Sequence, residues 1–342
     1  MPALPDTNRT ILITGANGYI ASWIVGSLLK KGYIVRAAVR NESRGQQLID
    51  TYRSYGSKLQ LYPVGNMQSE GAWDEAVKGV DAIMHTAAQV DLNTVEPADI
   101  IEPAVEGVLN ILKSTLQYGS SVKRFIYTST CAAIIDTSED ILTVTEADWN
   151  DKRIKEVEEK GKDAHGLTKY SASKTLAEKG IGSVIQSLPS GFSPVIAFWQ
   201  FYEQHRSEVQ WDVVVLNPPW VFGPNAHKII RPDELNESNR FWFNAVVKGD
   251  VFGASPETSP GHGWVDARDV AEAHVLALES PKAGGERIIL CAGSPFVWQD
   301  FSNPGGKAFR TITFASNKSK ELLGLEYRTM EETTRDILRG LE

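Results

Sequence analysis

From about residue 10 onward, short apolar runs alternate with stretches of helical periodicity. Seven runs predict strands: Thr10–Thr14, Tyr33–Val39, Leu59–Val64, Ala82–Ala87, Arg124–Thr130, Asp212–Asn217 and Arg287–Ala292. Several show no polar alternation, as expected of parallel strands covered on both faces. Between the first two, Ile20, Ile24 and Leu28 recur at i, i+4, i+8, and Gly32 supplies a helix stop. A second helix is predicted from Glu102 to Tyr118, with Val105, Leu109 and Leu112 on one face, and a third over Val270–Leu278. Strands alternating with helices imply right-handed βαβ units and a doubly wound parallel α/β sheet of about seven strands.

After about Asn225 the pattern loosens, and Pro, Gly and Ser crowd Ala254–Gly263 and Phe301–Gly306. The organisation expected is a sheet domain over residues 1–224, to which 264–292 returns, and a smaller interleaved region made of 225–263 and 293–342. Residues 180–196 stand out as an atypical insertion, rich in Gly, Ser and Pro, between stretches that would otherwise join into one helix. A pocket lid and the translation of a retained intron both explain it.

Composition narrows the classes. Apolar residues make up 42% and charged residues 23%, enough for a sizeable core. A formal net charge of −8 gives no reason to expect a nucleic-acid partner. No apolar run approaches the ~20 residues that span a bilayer, and Met1–Asn8 lacks a signal-peptide pattern. Cys131 and Cys291 both lie in or beside apolar runs and read as buried thiols. The expectation is a cytoplasmic protein without membrane or metal, acting on a small molecule as monomer or homodimer.

The first strand runs into Thr14-Gly15-Ala16-Asn17-Gly18-Tyr19-Ile20-Ala21. A tight strand-to-helix turn needs Gly15, close approach of a pyrophosphate needs Gly18, and the helix behind them offers unpaired N–H groups. This is the phosphate loop of a Rossmann-type sheet. An acidic residue about 20 positions on would select NAD. Here the second strand ends on Arg40, and Arg44 follows one turn later, two guanidinium groups suited to a 2′-phosphate. NADP(H) is the expected cofactor.

Tyr170-Ser171-Ala172-Ser173-Lys174 puts a phenol and an ammonium on one helix face. The cation is expected to favour tyrosinate and lower the Tyr170 pKa from its usual ~10. The fifth strand ends in Thr128-Ser129-Thr130, whose hydroxyls suit a carbonyl oxygen.

Taken together, these motifs resemble the extended short-chain dehydrogenase/reductase family, over nearly the whole chain. The branch most similar holds fungal carbonyl (methylglyoxal-type) reductases and plant dihydroflavonol reductases. Further matching segments are Asp81–Ala87, Leu216–Pro224 and Gly263–Ala271. The resemblance implies Thr130, Tyr170 and Lys174 as the catalytic group. Cofactor contacts would come from Gly15, Asn17, Gly18, Tyr19, Ile20, Arg40, Arg44, Asn66, Met67, Thr86, Ala87, Ala88, Tyr170, Lys174, Pro218, Trp220 and Val221. His85 would be a strand-end residue beside the cofactor.

Four positions depart from the family pattern. Thr130 stands where the branch usually has Ser, and Asn66-Met67 where an Asp precedes an apolar residue. The insertion at 180–196 and a shortened connection between Asp300 and Phe314 both fall near the substrate side. The implied activity is NADPH-dependent reduction of a ketone or aldehyde. An epimerase, lyase or cyclase on the same fold, or an inactive NADP-binding protein, remain as alternatives. Leu216 occupies the place where sugar-nucleotide epimerases carry Arg.

Overall fold

The computed structural model describes residues 3–88, 91–135, 142–179, 198–228, 234–251, 260–301 and 312–341. Its centre is a sheet of seven strands: β1 (Thr10–Thr14), β2 (Ile34–Val39), β3 (Leu59–Pro63), β4 (Ala82–His85), β5 (Arg124–Thr128), β6 (Asp212–Asn217) and β7 (Glu286–Ile289). All pair in parallel, in the spatial order β3-β2-β1-β4-β5-β6-β7. The winding direction reverses between β1 and β4, which opens a crevice beyond the carboxyl ends of those strands.

Alternation along each strand feeds two cores. Ile11 and Ile13 of β1, Ile126 of β5, and Val214 and Leu216 of β6 face one layer. Leu12, Phe125, Tyr127, Val213 and Val215 face the other. Both faces are covered, and so the strands read as continuous apolar runs.

Ten helices are described: α1 (Tyr19–Lys31), α2 (Glu42–Thr51), α3 (Ala98–Tyr118), α4 (Asp151–Lys160), α5 (Gly166–Lys179), α6 (Phe198–His205), α7 (Glu237–Val246), α8 (Ala267–Glu279), α9 (Asn317–Leu323) and α10 (Met330–Arg339). α1 packs on α8 over one face, and α3, α4 and α6 gather around α5 over the other. α1 buries Ala21, Ile24, Val25, Leu28 and Leu29, and Gly32 ends it at φ 99° with its N–H on the carbonyls of Leu28 and Leu29. Only a residue without Cβ adopts that φ freely. No described helix is long and apolar enough to cross a membrane.

β4, β5 and β7 stop two or three residues short of the predicted ends, at His85, Thr128 and Ile289. α3 starts at Ala98, before the predicted Glu102, with Pro103 inside it. The sequence pattern missed α2, α4, α7, α9 and α10. It also missed three short pairings: 220–222 with 264–266, 260–261 with 296–297, and 142–144 with 312–314.

Beside the sheet, Phe222, Trp242, Trp264, Phe296, Trp298 and Phe301 form a separate aromatic core with α7 and α10. α10 is started by a capping box between Thr329 and Glu332. Thr333 donates to Asp266 at 2.8 Å, and Arg268 bridges Asp266 to Asp336 at 2.7 Å each. The insertion at 180–196 lies outside the described residues, as do 302–311 of the shortened connection.

Candidate active site

The turn after β1 is tied down on both sides. Ala16 N–H donates to Ala38 O at 3.0 Å, and the Thr14 hydroxyl oxygen accepts from the N–H groups of Thr86 and Ala87 at 3.0 Å each. Both lone pairs of that oxygen are thereby used, and its proton goes to His85 Nδ1 at 3.0 Å. His85 therefore carries its own proton on Nε2. Burial first, and the Lys174 charge second, depress it to about 3. It stays neutral and stacks on Tyr127.

Gly15 has φ +60°, and a Cβ there would lie 3.1 Å from Ala87 Cα. This position requires glycine on two counts, the left-handed backbone and the packed Ala87. Asn17 and Gly18 are exposed, Tyr19 and Ile20 partly buried. Gly18 is the N-cap of α1, no side chain caps it, and no acidic residue occupies the first turn. The free N–H groups and positive end of α1 are left for an anion. Tyr19 donates to Gly223 O at 2.7 Å, and burial raises its pKa well above the usual value, so it acts as a fixed donor.

Arg40 and Arg44 are both exposed at the end of β2. Asn41 caps α2 by accepting from Arg44 N–H at 3.2 Å. Neither guanidinium has a hydrogen-bond or ion-pair partner among the described residues, whereas nearby Arg36 is held by Ala76 O and Lys78 O. Asn66 is exposed, with its oxygen accepting from Gln68 N–H, and Met67 is partly buried against the second core. Thr86 and Ala87 are partly buried and Ala88 exposed at the mouth of the crevice. The residues present fit a dinucleotide with an extra phosphate: a glycine turn, an uncapped helix start and two unpartnered arginines.

α5 brings Tyr170 and Lys174 to the same crevice. Lys174 is 5% exposed, and its Nζ lies 5.7 Å from the Tyr170 ring centroid. Thr130, at the end of β5, is extended at φ −163° and caps the short turn 131–133 by accepting from Ala132 N–H. Its hydroxyl lies near enough to Tyr170 to favour the phenolate. The start of α5 is clamped to residues 94–95 and to the turn after α4: Lys169 Nζ donates to Val95 O at 2.6 Å, Thr94 O at 3.2 Å and Lys162 O at 2.7 Å.

The phenol differs from the sequence expectation. Burial pushes Tyr170 up to about 12, and the neighbouring Thr130 hydroxyl offsets only part of that. Burial also pulls Lys174 down to about 8. Removing both groups from water penalises tyrosinate and ammonium alike, and this outweighs their attraction.

Pro218 O accepts from Cys131 N–H at 2.9 Å, which holds the segment after β6 against the segment after β5. Val221 points into the core beneath α1 and α8. The Trp220 ring turns the other way, among Phe222, Phe241 and Trp298.

The sequence profile described as the NAD dependent epimerase/dehydratase family matches residues 11–187. A ketoreductase, azaE of Aspergillus niger (strain ATCC 1015), is 31% identical, with 97% of each chain covered. Cinnamoyl-CoA reductase CAD2 of Medicago truncatula is 30% identical over 98% of this chain and 97% of its own. The chain belongs to the NAD dependent epimerase/dehydratase family. Among solved structures, yeast methylglyoxal/isovaleraldehyde reductase Gre2 complexed with NADPH superposes with a TM-score of 0.80 at 27% identity, covering 97% of this chain and 98% of that one. The seven-stranded doubly wound sheet is thus shared with a reductase from this part of the family.

Three buried groups of this family member escaped sequence reasoning. Glu178 is fully buried on α5, accepting from Ser129 Oγ, Asn217 Nδ2 and Arg287 Nε. Ser129 is therefore turned away from the crevice and committed, so it offers no second hydroxyl beside Thr130. Two signals were available: Glu178 lies four residues beyond Lys174 on the same helix face, and Arg287 is a charge at the head of an apolar strand.

Proposed function

We propose that this protein is an NADPH-dependent carbonyl reductase that converts a small-molecule ketone or aldehyde to the alcohol. The observation that carries the reading is the convergence of Thr130, Tyr170 and Lys174 beside the glycine turn at the carboxyl ends of β1, β4 and β5. The names of azaE and of the NADPH-bound Gre2 structure support it. NADPH would rest with its pyrophosphate over Gly15, Asn17, Gly18, Tyr19 and Ile20, and its 2′-phosphate between Arg40 and Arg44. Asn66 and Met67 would border the adenine, with Thr86 to Ala88 and Pro218 to Val221 along the rest. The bound cofactor supplies hydride to the carbonyl carbon.

The chain's own groups serve the carbonyl oxygen. Thr130 donates a hydrogen bond to it, and Tyr170 delivers the proton as negative charge builds there. A phenol held at about 12 is protonated at neutral pH, and so it is ready as a donor. The phenolate left behind is stabilised by the Thr130 hydroxyl and by the Lys174 ammonium, which would also hold the ribose of bound NADPH. Residues 225–263 and 293–342 would shape the substrate side, with Trp220 and Phe241 as partly exposed aromatic walls.

Tyr170→Phe tests the assignment. The ring stays and the proton is gone, so turnover on a panel of ketones should fall by ~10²–10⁴ while NADPH titration is unchanged. A Phe variant at nearly full rate refutes it.

A further inference from the structure

We infer that Glu178 is a positioning residue of the reaction: one buried carboxylate sets both the seat of the Tyr170–Lys174 helix and the place of Thr130. This rests on the carbonyl-reductase reading above. Tyr170, Lys174 and Glu178 follow at i, i+4 and i+8, so they lie along one face of α5. Glu178 is 0% exposed, and its carboxylate is gripped from three sides. Ser129 donates from the end of β5, Asn217 from the end of β6 at 2.9 Å, and Arg287 from β7.

Asn217 joins the two halves of the site. Its Nδ2 donates to Glu178 Oε2 and also to Thr130 O at 3.2 Å. Turning the amide round would set its oxygen against two other oxygens, and so the orientation is fixed. Arg287 is itself anchored, with Nη1 on Glu146 O at 2.8 Å and Asp148 O at 2.6 Å, and its plane 3.6 Å from the Trp149 ring centroid. Glu178 thus holds α5 against the ends of β5 and β6 and the start of β7, and the first of these carries Thr130 on the residue after Ser129.

The role is geometric. The Arg287 guanidinium neutralises the carboxylate, whose lone pairs are taken up by neighbours that touch neither Tyr170 nor Lys174. Proton transfer needs the phenol and the Thr130 hydroxyl at one oxygen, and a displacement of about 1 Å there costs ~10²-fold in rate. Among the described residues, the glycine turn shares no hydrogen bond with this cluster.

The test uses the full-length protein with NADPH and a ketone it reduces, comparing wild type, Glu178→Gln, Ser129→Ala, the double variant Glu178→Gln/Arg287→Met, and Tyr170→Phe as reference. Single-turnover hydride transfer, NADPH affinity and melting temperature are read for each. The double variant removes the unpaired buried cation that the single variant leaves, so its melting temperature recovers towards wild type. The expected result is a hydride-transfer rate at least ~10-fold down in Glu178→Gln, still down in the thermally recovered double variant, and ~2- to 5-fold down in Ser129→Ala, with NADPH affinity within ~3-fold throughout. If Glu178→Gln does not fold, the double variant and Ser129→Ala carry the decision. A double variant that regains the wild-type rate along with its stability, or Ser129→Ala at full rate, overturns the inference, since a merely structural carboxylate would behave so. If Tyr170→Phe loses its rate while the Glu178 variants keep theirs, only this inference falls. If Tyr170→Phe keeps its rate, the reductase reading falls and takes the inference with it.

Discussion

The sheet carries a buried arginine–carboxylate pair at each end, and the two differ in what they hold. At the amino ends of β5 and β6, Arg124 and Asp212 sit directly opposite across the strands and meet in a fork at 2.7 and 2.8 Å. The remaining arm of Arg124 takes the carbonyls of Ala277 and Ser280, acceptors at the end of α8 that a helix cannot satisfy itself. Gly284 makes room, since a Cβ there would fall 2.1 Å from Asp212. Towards the carboxyl end of β6, and among the described residues, Arg287 leaves Nη2 without a partner, as Asn217 does Oδ1. In the first pair every side-chain nitrogen and oxygen has a partner around a helix end. The second leaves two open and is bonded instead to the segments that carry Thr130, Tyr170 and Lys174. One end of a parallel sheet is built for closure and the other for positioning.

Breaking the closed pair gives the largest effect on stability. Arg124→Met strands the Asp212 charge in the interior and should cost ~3–5 kcal/mol by urea denaturation, with Arg124→Met/Asp212→Leu recovering most of it. The strand places this pair about 16 Å from the crevice. The rate per folded molecule should therefore stay within about 2-fold, and a large loss of kcat would erase the contrast between the two ends.

A third pair sharpens the contrast. Asp269 on α8 is fully buried against Arg328, which is 34% exposed. Burial pushes Asp269 up to about 6, against the lowering from Arg328. An acid whose pKa is raised by folding stabilises the fold fully below its unfolded value near 4, and loses that contribution as pH rises through about 6. The difference is on the order of 3 kcal/mol. Unfolding free energies measured from pH 4 to 7 should fall by that amount relative to Asp269→Asn. Parallel curves for the two proteins would contradict the assignment.

At the open end, pH acts on rate. Lys174, held down to about 8 by burial, loses its charge as pH rises through that value. Reduction measured as kcat/KM should be level at neutral pH and drop about tenfold per unit well above 8. A profile flat to pH 10 would show that the ammonium is not required. The smallest effect belongs to the rim. Arg40→Asp should narrow the preference for NADPH over NADH by about tenfold, or ~1.4 kcal/mol, in paired kinetic assays. Equal use of both cofactors by the unaltered protein would remove the basis for it.

The sequence alone determined the sheet, because β1, β5 and β6 are apolar on both faces and only a two-sided burial suits such runs. It also determined the glycine turn, where Gly15 needs a positive φ, and the Tyr170–Lys174 spacing, since those are local consequences of backbone geometry. The tertiary structure decided everything that depends on distance in the chain. It set the Tyr170 phenol at about 12, contrary to the local electrostatic argument, because desolvation is a property of what surrounds a group and not of its neighbours in sequence. It turned Ser129 inward to Glu178 and left Thr130 partly exposed, a choice no strand-end pattern of hydroxyls can reveal. It also gathered Glu178, Asn217 and Arg287 at one point from positions up to 109 residues apart, since a buried charge can be satisfied by any donor the fold brings near.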